Sequence, residues 1–385
     1  MIRVLFLSPL YPNRYDAMPG LFVRKHAEAV SRFCSVYVLY LHPDTNIKST
    51  EIKVNHHNNL TELIVYYPVK QKGAFLKLSK MYAYVNAYRQ GYRKIKKSGF
   101  NPDIIHANIL TRSVFMAYVE KLFHKTPYVI TEHWSRYLHG KQAFDGNFDK
   151  WITRLVARKA AAIMPVSDIL MKGMLANKIF NDNYWVVNNV VDDFFQAEKT
   201  AVISSKKRIL HISCFDETAK NITGILRAIE NLCTLRNDFE LVIIGTGVDF
   251  ESTKNYCKTL NIPKGIVQFL GEKTPVEVAE WFVNSDLFVL FSNYETAGVV
   301  LAESLVSGVP VVSTNVGIAP EVIDESNGKI VPVGDEHALT NAINEVLEDY
   351  NKYDKEQIKE QFSKQFTYNE IGVKITEIYQ KALNR

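Results

Sequence analysis

The feature that most limits the folds open to this chain is a rhythm. Short apolar runs, long enough for a buried strand, alternate with longer stretches that are apolar on one helical face. The first series of runs falls at 2–8 (IRVLFLS), 35–41 (SVYVLYL), 102–108 (PDIIHAN), 127–134 (PYVITEHW), 161–167 (AAIMPVS) and 184–192 (YWVVNNVVD). Between them lie helical patterns such as LFVRKHAEAVSRF and TRSVFMAYVEKLFH. Residues 193–208, DFFQAEKTAVISSKKR, are polar and lack a period, which reads as a linker. The rhythm then restarts at 209–215 (ILHISCF), 239–247 (FELVIIGTG), 266–271 (IVQFLG), 286–292 (DLFVLFS), 309–314 (VPVVST) and 328–334 (GKIVPVG). Near-continuous apolar strands separated by amphipathic helices specify parallel sheets with helices on both faces. The expected fold class is therefore α/β, with two Rossmann-like, doubly wound parallel-sheet domains and a cleft between them. The expected boundaries are 1–192, the linker 193–208, 209–365, and a C-terminal helix at 366–385 that packs back on the first domain. In open parallel sheets ligands bind beyond the carboxyl ends of the strands, so the loops there carry the search for function.

Composition narrows the class. A chain of 385 residues with 47% hydrophobic content suits two domains with a core in each. A net charge of +5 argues against a wholly basic nucleic-acid binder, and no nucleic-acid partner is expected. Cys34, Cys214, Cys233 and Cys257 form no CxxC and no metal-ligand spacing with histidine, so neither structural zinc nor a disulfide framework is expected. This suits a reducing cytoplasm. The apolar start is cut by Pro9 and too short for a signal peptide, and no run approaches the roughly 18 apolar residues of a membrane span.

One loop–helix stretch stands out: NYETAGVVLAESLVSGVPVVSTNVGIAPEVI, from Asn293 to Ile323. Its helix should start near Gly298 and end at a C-cap glycine, Gly308. Unpaired N–H groups at such a start, reinforced by the helix dipole, suit a phosphate or diphosphate. Glu295 lies in the loop and Glu303 about one turn inside the helix. A carboxylate there can accept two hydrogen bonds from a vicinal diol. The plainer alternative is a helix-capping Glu295 and a solvated Glu303.

This stretch resembles the carboxy-terminal signature of the family 4 retaining glycosyltransferases of the GT-B fold, whose E-x7-E motif stands here as Glu295 and Glu303. The resemblance extends over essentially the whole chain. It implies that Glu303 holds the nucleotide ribose, that Glu295 faces the donor sugar, and that the amides of Gly298 and Val299, next to Ala297, face the diphosphate. HISCFDETAKNITG resembles the family segment that carries an arginine and a lysine six residues apart. Lys220 matches the lysine, whereas the arginine position holds Cys214, read as a small buried residue. By the same resemblance Gly245 and Gly247 lie in a loop beside the diphosphate or base, and Phe269, Leu270 and Gly271 lie near the base. Gly20 would be the first-loop glycine where backbone approaches donor and acceptor; a plain turn glycine is the alternative. His133 matches a strand-end histidine near the reacting sugar carbon. His106 is left open, and Glu132 is either a cleft acid or a surface residue. In VVNNVVD the family's usual glycine is replaced by Val190.

A second patch sits between Glu62 and Asp103, where nine basic residues (Lys70, Lys72, Lys77, Lys80, Arg89, Arg93, Lys94, Lys96, Lys97) meet no acid and interleave with Phe75, Leu76, Met81 and four tyrosines. Such a segment, residues 70–97, suits an anionic membrane surface. The expected function is a metal-independent retaining hexosyltransferase acting from a UDP- or GDP-sugar on a glycan or lipid-linked acceptor in surface polysaccharide synthesis. It would be cytoplasmic and peripheral at the inner face of the membrane. His133, Lys220 and Glu295 are the candidate catalytic residues, no metal site is apparent, and no cofactor beyond the donor is expected. The rivals are a nucleotide-sugar 2-epimerase of the same fold and a nucleotide-binding protein that has lost catalysis.

Overall fold

The computed structural model describes residues 1–70, 76–138, 144–197 and 206–384. Lys72 and Phe75 of the basic patch, and 198–205 of the expected linker, lie outside the described residues. The chain forms two compact units. The first comprises Met1–Val166, Met171–Val190 and Tyr368–Arg385, and the second Ser167–Leu170 with Val191–Thr367.

The first unit is built on strands β1 (Arg3–Ser8), β2 (Ser35–Asp44), β3 (Glu51–His57), β4 (Leu60–Pro68), β5 (Ile104–Asn108), β6 (Tyr128–Glu132) and β7 (Ala162–Pro165). They lie in the order β3-β4-β2-β1-β5-β6-β7. All neighbours are parallel except β3 and β4. The apolar run of β1 is central because every residue from Val4 to Ser8 is buried. The antiparallel β3–β4 hairpin is a departure from the all-parallel expectation. Its first strand, EIKVNHH, is polar and half exposed, so it carries no apolar run to be read. Asn58 turns the hairpin at a left-handed φ of 50°. Residues 184–192, expected as a strand, form only a single bridge, Ile163 with Tyr184. The segment does give N–H groups to the carbonyls of Ile163 and Pro165, but Asn188 then turns its carbonyl to His26 instead of continuing the ladder.

The C-terminal helix Tyr368–Leu383 belongs to this unit, with Ile371, Ile375, Ile378 and Tyr379 buried in its core. Gly372 lets it approach the helix Leu21–Ser31, since a Cβ there would stand 2.4 Å from the Ala29 carbonyl oxygen. The Tyr379 hydroxyl meets His106 Nδ1 at 2.6 Å, and His106 Nε2 meets Thr131 Oγ1 at 2.6 Å. His106 is thus a satisfied core histidine.

The second unit holds β8 (Lys207–Ile212), β9 (Phe239–Ile244), β10 (Val267–Gly271), β11 (Leu287–Leu290), β12 (Val311–Thr314) and β13 (Gly328–Val331). Their order is β10-β9-β8-β11-β12-β13, all parallel. Strand order reverses between β8 and β11, so the loops leaving those two strands diverge and open a crevice there. Within the expected linker, Asp193–Gln196 form a 3-10 turn whose Phe195 is buried in the second unit's core.

Three histidines of the first unit are buried and neutral. Burial pulls His26 down to about 4, and pulls His106 and His133 well below the usual histidine range. Each binds a proton in the unfolded chain before the folded chain accepts one. Their stability contribution is complete above about pH 6.5 and is lost as pH falls toward the folded values. At pH 5 the loss from His26 alone is about 2 kcal/mol, and His106 and His133 act in the same direction. Glu132, raised by burial, works the other way but is a single group. Urea unfolding at pH 7 and pH 5 should show the midpoint falling sharply; an unchanged midpoint would mean that these rings are not buried neutral.

Candidate functional site

In the second unit the residues singled out by sequence gather at the reversal point. The loop after β8 runs through Cys214 to a short helix, Glu217–Lys220, and the loop after β11 runs to the helix Val299–Val306. The helix begins at Gly298, whose φ of 69° favours glycine, and no side chain caps it. Its end is a Schellman motif: Val309 N–H donates to the Ser304 carbonyl at 3.0 Å, and Gly308 N–H donates to Leu305 at 3.0 Å, with Gly308 at φ 73°. The helix start therefore has backbone donors not taken by a side chain, as an anion site requires.

Glu295 does not cap this helix. It accepts from Lys220 Nζ at 2.5 Å and from Ser292 Oγ at 2.9 Å. The Lys220 and Glu295 side chains are only 15% and 11% exposed, so Lys220 is no solvated surface lysine. Burial acts to lower the Lys220 pKa, but attraction and hydrogen bonding from Glu295 outweigh it and the net shift is upward. The ammonium stays charged at neutral pH. Glu303 is half-buried on the second turn of the helix. Cys214 is exposed, which corrects its reading as a small buried residue. The reason is that Phe215, next in sequence, takes the core position and stacks edge-on with Phe250.

Backbone contacts hold these loops in register. Asn293 N–H donates to the Ala219 carbonyl at 2.8 Å and Asn293 Nδ2 to Thr218 at 3.1 Å. Thr314 Oγ1 donates to the Ser292 carbonyl at 2.7 Å. Ile318 N–H donates to the Ala297 carbonyl at 2.9 Å, and a Cβ on Gly317 would lie 2.5 Å from that same oxygen. The two glycines after β9 do similar work on the other loop. A Cβ on Gly245 would stand 1.9 Å from the Ser213 carbonyl oxygen, and one on Gly247 would lie 2.6 Å from that of Phe215. Both are thus required by close packing of the Cys214 loop. Phe269 and Leu270 lie in β10 just before its last residue, Gly271, and Phe269 joins the Phe215–Phe250 aromatic group.

In the first unit His133 follows β6 and is 8% exposed. Its ring packs on Phe22 at 4.3 Å and His26 at 5.6 Å. Nε2 lies 3.4 Å from Asn108 Oδ1, while His133 Nδ1 and Asn108 Nδ2 are buried without a hydrogen-bond partner among the described residues. Such orphaned polar atoms are costly, and a bound hydroxylated ligand or water would satisfy them. Glu132 is neither a cleft acid nor a surface residue: it is fully buried and accepts N–H bonds from Leu110, His133 and Trp134, each at 2.8 Å. It ties the loop after β5 to the loop after β6 and so fixes where His133 sits. Gly20 has a φ of 69°, and its α-carbon face is closed by backbone, with a Cβ falling 2.3 Å from the Leu10 carbonyl oxygen. This supports the turn-glycine alternative for its own side. Sequence reasoning missed Asn108 and Thr314, which end strands, and Ser292 and Asn293, just beyond the end of β11, all of them small polar residues. A polar residue closing an apolar strand was the available signal.

The Lys220–Glu295 pair yields a stability prediction. Lys220→Met or Glu295→Gln alone should destabilise the second unit by about 3 kcal/mol, because each leaves a largely buried partner uncompensated. The double variant should lose much less than the sum in urea unfolding. Additive losses would show that the two groups are not coupled.

The comparisons with known proteins agree with this architecture. Residues 192–364 match the family described as glycosyl transferases group 1, and residues 64–189 match the glycosyl transferase 4-like domain. Among curated proteins, N-acetyl-alpha-D-glucosaminyl L-malate synthase of Bacillus anthracis is 29% identical over 53% of this chain and 55% of its own length. The phosphatidyl-myo-inositol mannosyltransferase of Mycobacterium leprae is 26% identical over 52% of each chain. The chain thus spans about half the length of these two relatives. Among solved structures, sucrose-phosphate synthase from Thermosynechococcus elongatus superposes with a TM-score of 0.77 at 16% identity, over 100% of both chains. Anabaena HepE, solved with UDP and glucose, gives 0.72 at 16% identity, over 99% of this chain and 100% of that one. With a mostly parallel sheet in each unit, the E-x7-E pair on the second, and both family patterns matched in order, the chain belongs to the family 4 glycosyltransferases of the GT-B fold.

Proposed function

We propose that the protein is a retaining glycosyltransferase that moves a sugar from a nucleotide-sugar donor to a hydroxyl of a glycan or lipid-linked acceptor. The observation that carries this reading is the Lys220–Glu295 pair beside an uncapped helix start at the strand-order reversal of the second sheet. There the donor diphosphate would lie against Lys220 and the amides of Gly298 and Val299, and Glu303 would accept from the ribose hydroxyls. As the bond from sugar to phosphate breaks, negative charge grows on the leaving oxygen. A fixed ammonium and fixed backbone dipoles stabilise that charge without reorganising. The sugar carbon gains oxocarbenium character, as in other glycosyl transfers. No carboxylate is assigned as a covalent nucleophile; attack from the face of the departing phosphate, which takes the acceptor proton, gives retention. Lys220 would perform the charge neutralisation that a metal performs elsewhere, so activity should survive EDTA.

The first unit would hold the acceptor, with His133 and its orphaned Nδ1 meeting a hydroxyl of a bound sugar. UDP or GDP is the expected base carrier, in line with the UDP of the HepE structure and with a GDP-mannose-dependent relative from Mycobacterium tuberculosis that is 30% identical over 29% of this chain. Surface polysaccharide synthesis is the setting we favour; a relative encoded in a Klebsiella pneumoniae cps region is 25% identical over 62% of this chain. The helix Leu76–Lys97 supports a peripheral membrane position. It buries Ala87, Tyr88, Gly91 and Ile95 and leaves Leu78, Met81, Tyr82 and Lys94, Lys96 and Lys97 exposed. Among the described residues no helix is long and apolar enough to cross a membrane.

Calorimetry with UDP, GDP, ADP and dTDP, followed by turnover with the matching donor sugars, tests the proposal. One nucleotide should bind at micromolar concentration, and Glu303→Ala should weaken it about tenfold, the share of a lost charge-assisted hydrogen bond pair. Lys220→Met should lower kcat more than it raises KM. Nucleotide binding unchanged by Glu303→Ala, or strict loss of turnover in EDTA, would overturn the corresponding part.

A further inference from the structure

The first unit contains a cavity of about 590 Å³ that neither the family motifs nor the proposed catalytic residues use. It lies where the β3–β4 hairpin meets the loop after β1 and the start of the helix Leu21–Ser31. Register explains its polar wall. Asn55 pairs with Glu62 and Lys53 with Ile64 across the antiparallel ladder, which sets one row of polar side chains into the cavity.

Its floor is a buried carboxylate. The Glu62 side chain is 4% exposed and is already surrounded by donors: Tyr11 OH at 2.7 Å, Asn55 Nδ2 at 3.2 Å, Arg24 Nε at 3.3 Å and His57 Nε2 at 3.6 Å. Glu62 therefore orients its neighbours more than it offers a free acceptor. The donors around it are not used up. Arg24 Nε lies 3.0 Å from Glu28 and 3.3 Å from Glu62, yet is left without a hydrogen-bond acceptor of adequate geometry. Lys53 is exposed on the wall and carries no ion pair among the described residues. By contrast Arg14 is committed, paired at 2.6 Å with both Asp44 and Glu51 and stacked on Tyr66. What remains unmatched in the cavity is donor capacity, cationic at Arg24 and Lys53 and a ring N–H at His57. Hydroxyl partners are at hand in Asn55 and His56.

We propose that this cavity binds a small hydroxylated molecule bearing one oxyanion, a phosphate or carboxylate on a sugar, with the oxyanion on Arg24, Lys53 and His57. A guanidinium and an ammonium converging on one anion give charge-assisted bonds that a neutral sugar cannot form. The use of this cavity as an acceptor subsite rests on the transferase reading, but its occupancy does not depend on turnover. The full-length protein is titrated calorimetrically, in low salt, with glucose 1-phosphate, with glucuronate and with neutral glucose. At least one of the two anions should bind, and which one identifies the acid group; glucose at the same concentration should not. Binding should weaken at least tenfold in Lys53→Glu and in His57→Ala, both exposed positions that leave the core intact, and should weaken with added salt. It should persist in Lys220→Met, which separates this cavity from the donor site, while nucleotide binding should be unaffected by Lys53→Glu. Absence of binding by both anions, equal binding of glucose, or equal affinity in wild type and Lys53→Glu would overturn the proposal, whatever the nucleotide titrations show.

Discussion

The contact between Lys220 and Glu295 joins two loops that strand order drives apart. At the reversal between β8 and β11 the chain leaves neighbouring strands in opposite directions, and nothing in the sheet itself holds their loops together. An ammonium and a carboxylate, each mostly removed from water, attract strongly enough there to fix both loops once Ser292 supplies a further hydrogen bond. In the proposed transfer, the charge that a leaving diphosphate needs would thus be in place before any ligand arrives. Preorganisation of this kind is what makes electrostatic stabilisation of a transition state effective.

The same region shows how glycine serves function indirectly. Gly245, Gly247 and Gly317 do not need to touch a ligand to matter. Each lets one loop backbone lie against another at a distance no Cβ allows, and the loops so packed are those that carry Cys214 and Glu295. Gly298 and Gly308 frame the helix between the two glutamates, one at a left-handed start and the other in its Schellman end. The helix start is therefore fixed in position as well as in dipole.

Much of this was legible in the amino-acid order. The alternating apolar runs located β1, β2, β5 to β7 and all six strands of the second sheet, because strands covered by helices leave a near-continuous apolar signature, which persists even in the half-exposed edge strand β10. The β3–β4 hairpin was missed because β3 is polar and half exposed, and β4, although buried, carries Thr61 and Glu62 near its start and follows no helical stretch; the run at 184–192 was over-read because valines that peg a core look like strand residues. The E-x7-E spacing marked the site but not its chemistry. That Glu295 pairs with Lys220, seventy-five positions earlier, depends on how two loops pack, which no local pattern encodes. Glu132 was ambiguous for a related reason. An acid at a strand end reads as exposed until three backbone N–H groups from two loops are found converging on it.

The central claim is that the start of the helix Val299–Val306, together with Lys220, receives the phosphates of a nucleotide. Its most direct test is the amide spectrum of isotope-labelled protein titrated with UDP or GDP, whichever binds, and separately with the parent nucleoside. The account predicts that the Gly298 and Val299 amide signals move with the diphosphate and stay in place with the nucleoside. Saturation by the diphosphate with both amides unmoved would contradict it.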